Sequence, residues 1–430
     1  MIDAILTTNI VTGPAIFIVT SIAAVAAAYL LARRPSRRWI VTVLIALGTG
    51  AALAVATSFV TVRLLNLFGT GLGLVNYAWL AATFCGTALA LVNLRRSRWW
   101  RKTIAILCIP LFLVTGTLAI NAFYGINLTV GNLLNISTDR PIRLTPSTAS
   151  SGFDKALWKH WHPPADMPAK GTIGTQVIPN TLSGFTSRPA GIYLPPAALV
   201  KNPPKLPLVV MMLGQPGNPV PAFAAYILDA FAAKHKGLAP IVIVADQLGD
   251  PMVDPLCLDT PKFGNAETFI IHDVSNWAKN HLNVTHDHHY WTVAGYSNGG
   301  QCAISFGVKY PELFANVMDV SGEAFPGAEQ APTVLKDIFH GDLAAYNAVK
   351  PTTFMAHNRY PGTTAIFTAG ANDPAYTDTA LKMTDAARDC GMNAHSYLVP
   401  NGGHGQDALV GGMNEGFRVL YPILGLSAPS

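Results

Sequence analysis

Four stretches of the chain, at about residues 10–32, 39–60, 72–94 and 103–126, contain no Asp, Glu, Lys, Arg or His, and each is long enough to cross a bilayer as a helix. No other feature limits the fold so tightly. Buried helices of a soluble protein do not account for four charge-free runs of this length. A secretory signal accounts for one at most, and Met1-Ile-Asp-Ala lacks the basic segment that such a signal carries. Charged residues make up 12% of the chain and hydrophobic ones 50%, against about 25% charged in an ordinary soluble domain. The imbalance is concentrated in these runs.

Basic residues set the expected orientation. Apart from Arg63, they cluster in two connectors: Arg33, Arg34, Arg37 and Arg38 in the first, and Arg95, Arg96, Arg98, Arg101 and Lys102 in the third. The positive-inside rule places both clusters in the cytoplasm, with the N-terminus and everything after residue 126 outside. Without the nine clustered charges the net +5 becomes −4, so the basic balance reports topology and gives no ground for a nucleic-acid partner. Trp39, Trp99 and Trp100 flank the runs as interfacial anchors do. The spans hold none of the ionisable groups of a proton or ion pathway. A multi-pass anchor in the cell membrane is therefore expected, with a transporter as its rival.

A polar stretch, 127–148, follows as a linker, and then residues 149–430, about 280 in all, enough for one large core. Short apolar runs alternate there with longer amphipathic segments. Candidate strands are 190–194, 208–213, 241–245, 291–294, 315–320, 364–368 and 394–399; candidate helices are 222–236, 267–281, 301–310, 378–390 and 406–420. This alternation points to an α/β fold, a mostly parallel sheet covered by helices on both faces. Ligands of such sheets bind outside the carboxyl ends of the strands.

Residues 291–300 read Trp-Thr-Val-Ala-Gly-Tyr-Ser-Asn-Gly-Gly. An apolar run that breaks into Gly-x-Ser-x-Gly is the pattern of a nucleophile elbow, with Ser297 at its apex. A serine hydroxyl needs an adjacent base, itself held by a third group. Asp373, just beyond the strand 364–368, is the candidate acid, with Glu323 as the alternative. His404, in the glycine-rich loop after the strand 394–399, is the candidate base. Amide donors for an oxyanion are expected from Asn298, directly after the nucleophile, and from Gln215, because Pro216 has no N–H. Among the remaining histidines, His286, His288 and His289 read as a solvated turn rather than a metal site. Cys257 and Cys302 fall in the outer domain, where disulfides persist; a bridge between them would fasten the rim of the site, although the sequence leaves the pairing open.

The outer domain, from about residue 170 to 425, resembles the esterase D family of α/β-hydrolases, which also contains mycolyltransferases and S-formylglutathione hydrolases. The phrases that carry the likeness are Leu208-Val-Val-Met-Met-Leu-Gly, Val293-Ala-Gly-Tyr-Ser-Asn-Gly-Gly, Tyr310-Pro-Glu-Leu-Phe, Ser321-Gly and Gly402-Gly-His. Asp254-Pro-x-Cys-x-Asp, Asp273-Val-x-x-Trp and Gly341-Asp-x-x-Ala-Tyr are similar to a multi-span, membrane-anchored actinobacterial branch. The resemblance implies an α/β-hydrolase fold, a triad of Ser297, Asp373 and His404, and oxyanion donors at Gln215 and Asn298. The chain departs from the family in having Leu213-Gly214 where His-Gly is common, and His404-Gly-Gln-Asp where an aromatic often follows the histidine.

The expected function is a membrane-anchored serine esterase acting on acyl or aminoacyl esters of the cell envelope. An acyltransferase with the same triad and a catalytically silent protein that binds envelope lipid are the alternatives. The expected partners are the bilayer and a membrane lipid or envelope ester; no metal or organic cofactor is implied.

Overall fold

A computed structural model of the chain describes residues 2–64, 73–125, 127–134, 136, 140–144 and 152–429. The chain divides into two compact units, Met1–Thr138 and Asp139–Ser430.

Among its described residues the first unit holds four helices long and apolar enough to cross a membrane: Pro14–Leu31, Arg37–Leu64, Leu74–Asn93 and Trp99–Tyr124. Local chemistry sets their ends. Ser36 caps the second, accepting the N–H of Trp39 at 3.2 Å, and its last turn, Phe59–Leu64, widens to a π-helix that carries Arg63. The fourth stops at Gly125, whose φ of 66° is the left-handed conformation that closes helices. The backbones approach closely where side chains are small: a methyl on Gly50 would collide with the backbone of Cys85. Arg101 binds the end of the first helix. Its guanidinium donates to the carbonyls of Tyr29 at 2.9 Å, Leu30 at 2.6 Å and Ala32 at 3.2 Å, and to Asn93 Oδ1 at 2.8 Å.

The described residues of the polar stretch 127–148 include regular structure. Thr129 and Asn132 form a capping box around the short helix Val130–Leu133, and Leu128 accepts the N–H of Ile10 at 3.0 Å. In the second unit, the N–H of Ile142 bonds to the carbonyl of Thr175 at 3.1 Å.

Among its described residues the second unit contains ten strands: β1 (Thr172–Gln176), β2 (Ala190–Leu194), β3 (Leu208–Met212), β4 (Ile241–Ala245), β5 (Asp259–Thr260), β6 (Gly264–Asn265), β7 (Trp291–Tyr296), β8 (Asn316–Val320), β9 (Thr364–Gly370) and β10 (Asn393–Val399). β5 and β6 form a small ribbon; the other eight make one sheet in the order β1-β2-β4-β3-β7-β8-β9-β10. β2 pairs antiparallel with β1 and with β4, and every other pairing in the sheet is parallel. The helix Asn298–Lys309 lies on the face of Val317 and Asp319, and Gln406–Ile423 on the face of Met318 and Val320, since alternate residues of a strand face opposite ways. The fold is the expected α/β-hydrolase type, a mostly parallel sheet with helices on both faces.

The seven strands expected from apolar runs are present. β1 carries no such run: it is an edge strand with one buried position and a glycine at its centre. Three short helices, Ala331–Asp337, Leu343–Ala348 and Pro351–His357, fill an insertion between β8 and β9. Val334 and Tyr346 of the first two join Leu256 and Leu258 in a small apolar cluster, with Phe263, Phe325 and Ile338 packed against it. None of the three is long enough for its periodicity to stand out.

Candidate active site

Ser297 occupies the turn between β7 and the helix Asn298–Lys309, with φ 55° and ψ −121°. A non-glycine residue at such φ is strained and persists only where its surroundings over-determine it. Here they do. The N–H of Ser297 bonds to Val320 O at 2.9 Å, and Ser297 O accepts the amides of Gly300 at 2.8 Å and Gln301 at 3.1 Å. The flanking glycines are required sterically. A Cβ on Gly295 would overlap the carbonyl of Gly299, and one on Gly299 the carbonyl of Met212.

The three residues singled out from the sequence meet at the carboxyl ends of β7, β9 and β10. Ser297 Oγ lies 2.9 Å from His404 Nε2, and His404 Nδ1 lies 2.9 Å from Asp373 Oδ2. With Nδ1–H donating to the carboxylate, Nε2 is left to accept the serine proton. The side chains of His404 and Asp373 are 24% and 14% exposed, so the pair is largely screened from water. The two loops are tied together: Ala371 N bonds to Val399 O at 2.9 Å and Asn372 N to Gly402 O at 2.8 Å. Glu323, the alternative acid, is buried and accepts the backbone amides of Ala328 and Glu329 instead.

Asn298 begins the helix, and the first amides that return to Ser297 O belong to Gly300 and Gln301. The N–H of Asn298 therefore has no partner within its own helix. Its side chain is held on both sides: Nδ2 donates to Asp254 Oδ1 at 2.9 Å, and Oδ1 accepts from Gln247 Nε2 at 3.0 Å. Gln247 also donates to Leu213 O at 2.6 Å, which fixes the end of β3. The loop carrying Gln215 lies against the nucleophile, since a Cβ on Gly214 would sit 3.1 Å from that of Ser297.

Arg188 braces this loop, a role that no motif announced. It donates to Gly217 O at 2.8 Å and Asn218 Oδ1 at 2.7 Å, and forms a bidentate pair with Asp246 at 2.6 and 3.1 Å. Asp246 is 1% exposed, and its carboxylate also accepts the amides of Arg188, Leu248 and Gly249. Such satisfaction is what a buried charge requires.

A second wall comes from the loop after β4 and the insertion after β8. Cys257 and Cys302 are joined by a disulfide, which fastens that loop to the nucleophile helix. Asp254, Glu323 and Glu329 sit there within reach of one another. Burial pushes all three carboxyls up, and for Glu323 the charges of Asp254 and Glu329 add to it. Tyr376 donates its hydroxyl to Glu329, and burial together with the Glu329 charge raises that phenol well above its ordinary range.

Asp287, His288 and His289 bring potential ligand atoms within 4.8 Å of one another. The carboxylate accepts the amide of His289 at 3.1 Å and its Nδ1 at 2.7 Å, so the group closes a turn. His272 is exposed, while its neighbour Asp273 anchors another loop through the amides of Leu182 and Ser183.

The chain is 31% identical over 236 residues to an uncharacterized protein of Corynebacterium glutamicum. The match covers 52% of this chain and 55% of that protein, so the chain spans about half the length of its curated relative. An S-formylglutathione hydrolase from Agrobacterium tumefaciens is 15% identical with a TM-score of 0.49, over 61% of this chain and 98% of its own. A ferulic acid esterase is 16% identical with a TM-score of 0.48, over 59% and 99%. The model of the esterase family described as "Putative esterase" matches residues 186–414, more than half of the chain and the segment that carries Ser297, Asp373 and His404, and the chain belongs to that family.

Proposed function

We propose that this esterase is a membrane-anchored serine enzyme whose second unit faces outward and acts on an acyl or aminoacyl ester of the cell envelope. The observation that carries the reading is the relay of 2.9 Å contacts from Ser297 Oγ through His404 to Asp373. Ser297 attacks the ester carbonyl while His404 Nε2 takes its proton, and Asp373 steadies the imidazolium through Nδ1. The amides of Asn298 and Gln215 meet the oxyanion. His404 then returns the proton to the departing alcohol, leaving an acyl-enzyme on Ser297. Water, deprotonated by the same imidazole, releases the acid and restores the serine. The four apolar helices support anchoring, and the basic connectors between them support the outward orientation.

The test is a membrane-impermeant fluorophosphonate applied to intact cells producing the parent or Ser297→Ala. Labelling of the parent alone is expected. Labelling only after lysis would overturn the orientation, and no labelling of folded parent in either case would overturn the nucleophile.

A further inference from the structure

Two tyrosine rings lie against the imidazole of His404. Tyr296, the residue before the nucleophile, stacks on it with centroids 5.4 Å apart and planes inclined by 26°; Tyr376 approaches to 4.0 Å at 34°. Both tyrosines are buried. Tyr376 stands in the first turn of the helix Pro374–Asp389, three residues after Asp373, so one short segment supplies a carboxylate at Nδ1 and a ring against the imidazole face. The hydroxyl of Tyr376 reaches Glu329 at the edge of the insertion.

The need for such contacts is visible in the chain. His404 sits in Asn401-Gly-Gly-His-Gly405, and glycines on both sides leave the backbone little power to fix a side chain. Its two hydrogen bonds hold the ring at two points, and once the serine proton has moved, Nε2–H must turn from Ser297 to the leaving oxygen. During that turn only Nδ1 remains fastened, and the ring must still deliver its proton. Packed aromatic faces resist the tilt, and their negative quadrupoles favour the imidazolium then present.

We propose that Tyr376, tethered by Glu329, is a positioning residue that keeps the His404 ring aligned with Ser297 and Asp373 through the proton-transfer steps. This rests on the reading of Ser297 and His404 as nucleophile and base. Burial pushes Glu329 up, while the Tyr376 hydroxyl and His404 draw it back, which places the tether within electrostatic reach of the ring it serves.

The full-length protein in detergent micelles, with p-nitrophenyl acetate as substrate, provides the test. Tyr376→Leu is expected to lower kcat about tenfold, or about 1.4 kcal/mol, with KM unchanged to within about twofold. Tyr376→Phe keeps the ring but loses its bond to Glu329, and is expected to hold kcat about threefold below the parent. Glu329→Ala likewise keeps the ring and breaks that bond, and should match Tyr376→Phe. Parent-like kcat in Tyr376→Leu, a Phe variant as slow as the Leu variant, or a rise in KM alone would each overturn the proposal. Should Tyr376→Leu fail to fold by near-ultraviolet circular dichroism, Glu329→Ala decides, a parent-like kcat counting against the tether. Ser297→Ala is run in parallel: turnover at the parent rate there would overturn the nucleophile assignment itself, a result distinct from failure of the positioning role.

Discussion

The two walls of the site are built on different principles. The wall of Ser297, Asp373 and His404 is made at strand ends, where backbone hydrogen bonds and close glycine contacts dictate the geometry. The facing wall, formed by residues 254–259 and the insertion after β8, is held by a disulfide, a side-chain bond from Asn298 to Asp254, and a small apolar cluster. Backbone-made geometry tolerates no substitution that needs room. Side-chain-made geometry can lose one bond while the others still hold the loop in place. The difference teaches where a substitution acts as a switch and where as a graded change.

The largest effect belongs to the strand-end wall. Ser297→Ala should lower esterase turnover by at least about 10³-fold with the thermal midpoint essentially unchanged, as read by p-nitrophenyl ester hydrolysis and differential scanning fluorimetry. Gly299→Ala is the steric counterpart. Its Cβ has no space beside the Met212 carbonyl, so a loss beyond about 4 kcal/mol is expected; recovery of folded protein at parental yield would break the contrast between the walls.

Asp319 sharpens the comparison from beneath the same wall. Its carboxyl is buried under Gly300 and Gly322, and burial pushes it up to about 7, partly offset by the amide of Gly322. The folded state therefore keeps a proton that the unfolded chain releases near pH 4. The stability tied to this group is present in full below that pH and is lost as pH rises towards about 7. Asp319→Asn removes the dependence, giving a gain on the order of 3–4 kcal/mol at pH 8 and a much smaller one at pH 5. Equal parent–variant gaps in thermal unfolding at the two pH values would contradict the assignment.

The facing wall should respond less. Replacing Cys257 and Cys302 together by Ala is expected to cost about 2–4 kcal/mol of stability, measured by denaturant unfolding against the oxidised parent. Tyr346→Phe removes a buried hydroxyl that donates to Pro326 O at 2.8 Å and should cost about 1 kcal/mol. A loss in Tyr346→Phe as large as that in the cysteine pair would show that the insertion fails as one unit rather than bond by bond.

The same division explains what was legible in the sequence. Ser297, Asp373 and His404 lie where apolar runs end, so chain order and strand pattern were enough to bring them together. The start of the nucleophile helix was placed at Gln301, three residues late, because Asn298, Gly299 and Gly300 read as turn residues although the elbow makes them helical. Arg188 and Glu329 gave no signal. Each acts across 58 or 47 residues of sequence, on Asp246 and Tyr376, and a long-range side-chain bond leaves no periodicity behind. Tyr376 was hidden differently: the helix was expected from 378, and the tyrosine lies in its first turn, which begins at Pro374.

Arg101 carries a consequence for the order in which the first unit is assembled. Its guanidinium occupies carbonyls that end a helix made about 70 residues earlier. Until the fourth apolar helix has been synthesised, those carbonyls have no such partner. The first helix leaves the ribosome with its end open and is closed by the last of the four to arrive, so a ribosome stalled before residue 101 would hold a bundle unfinished at its beginning as well as at its end.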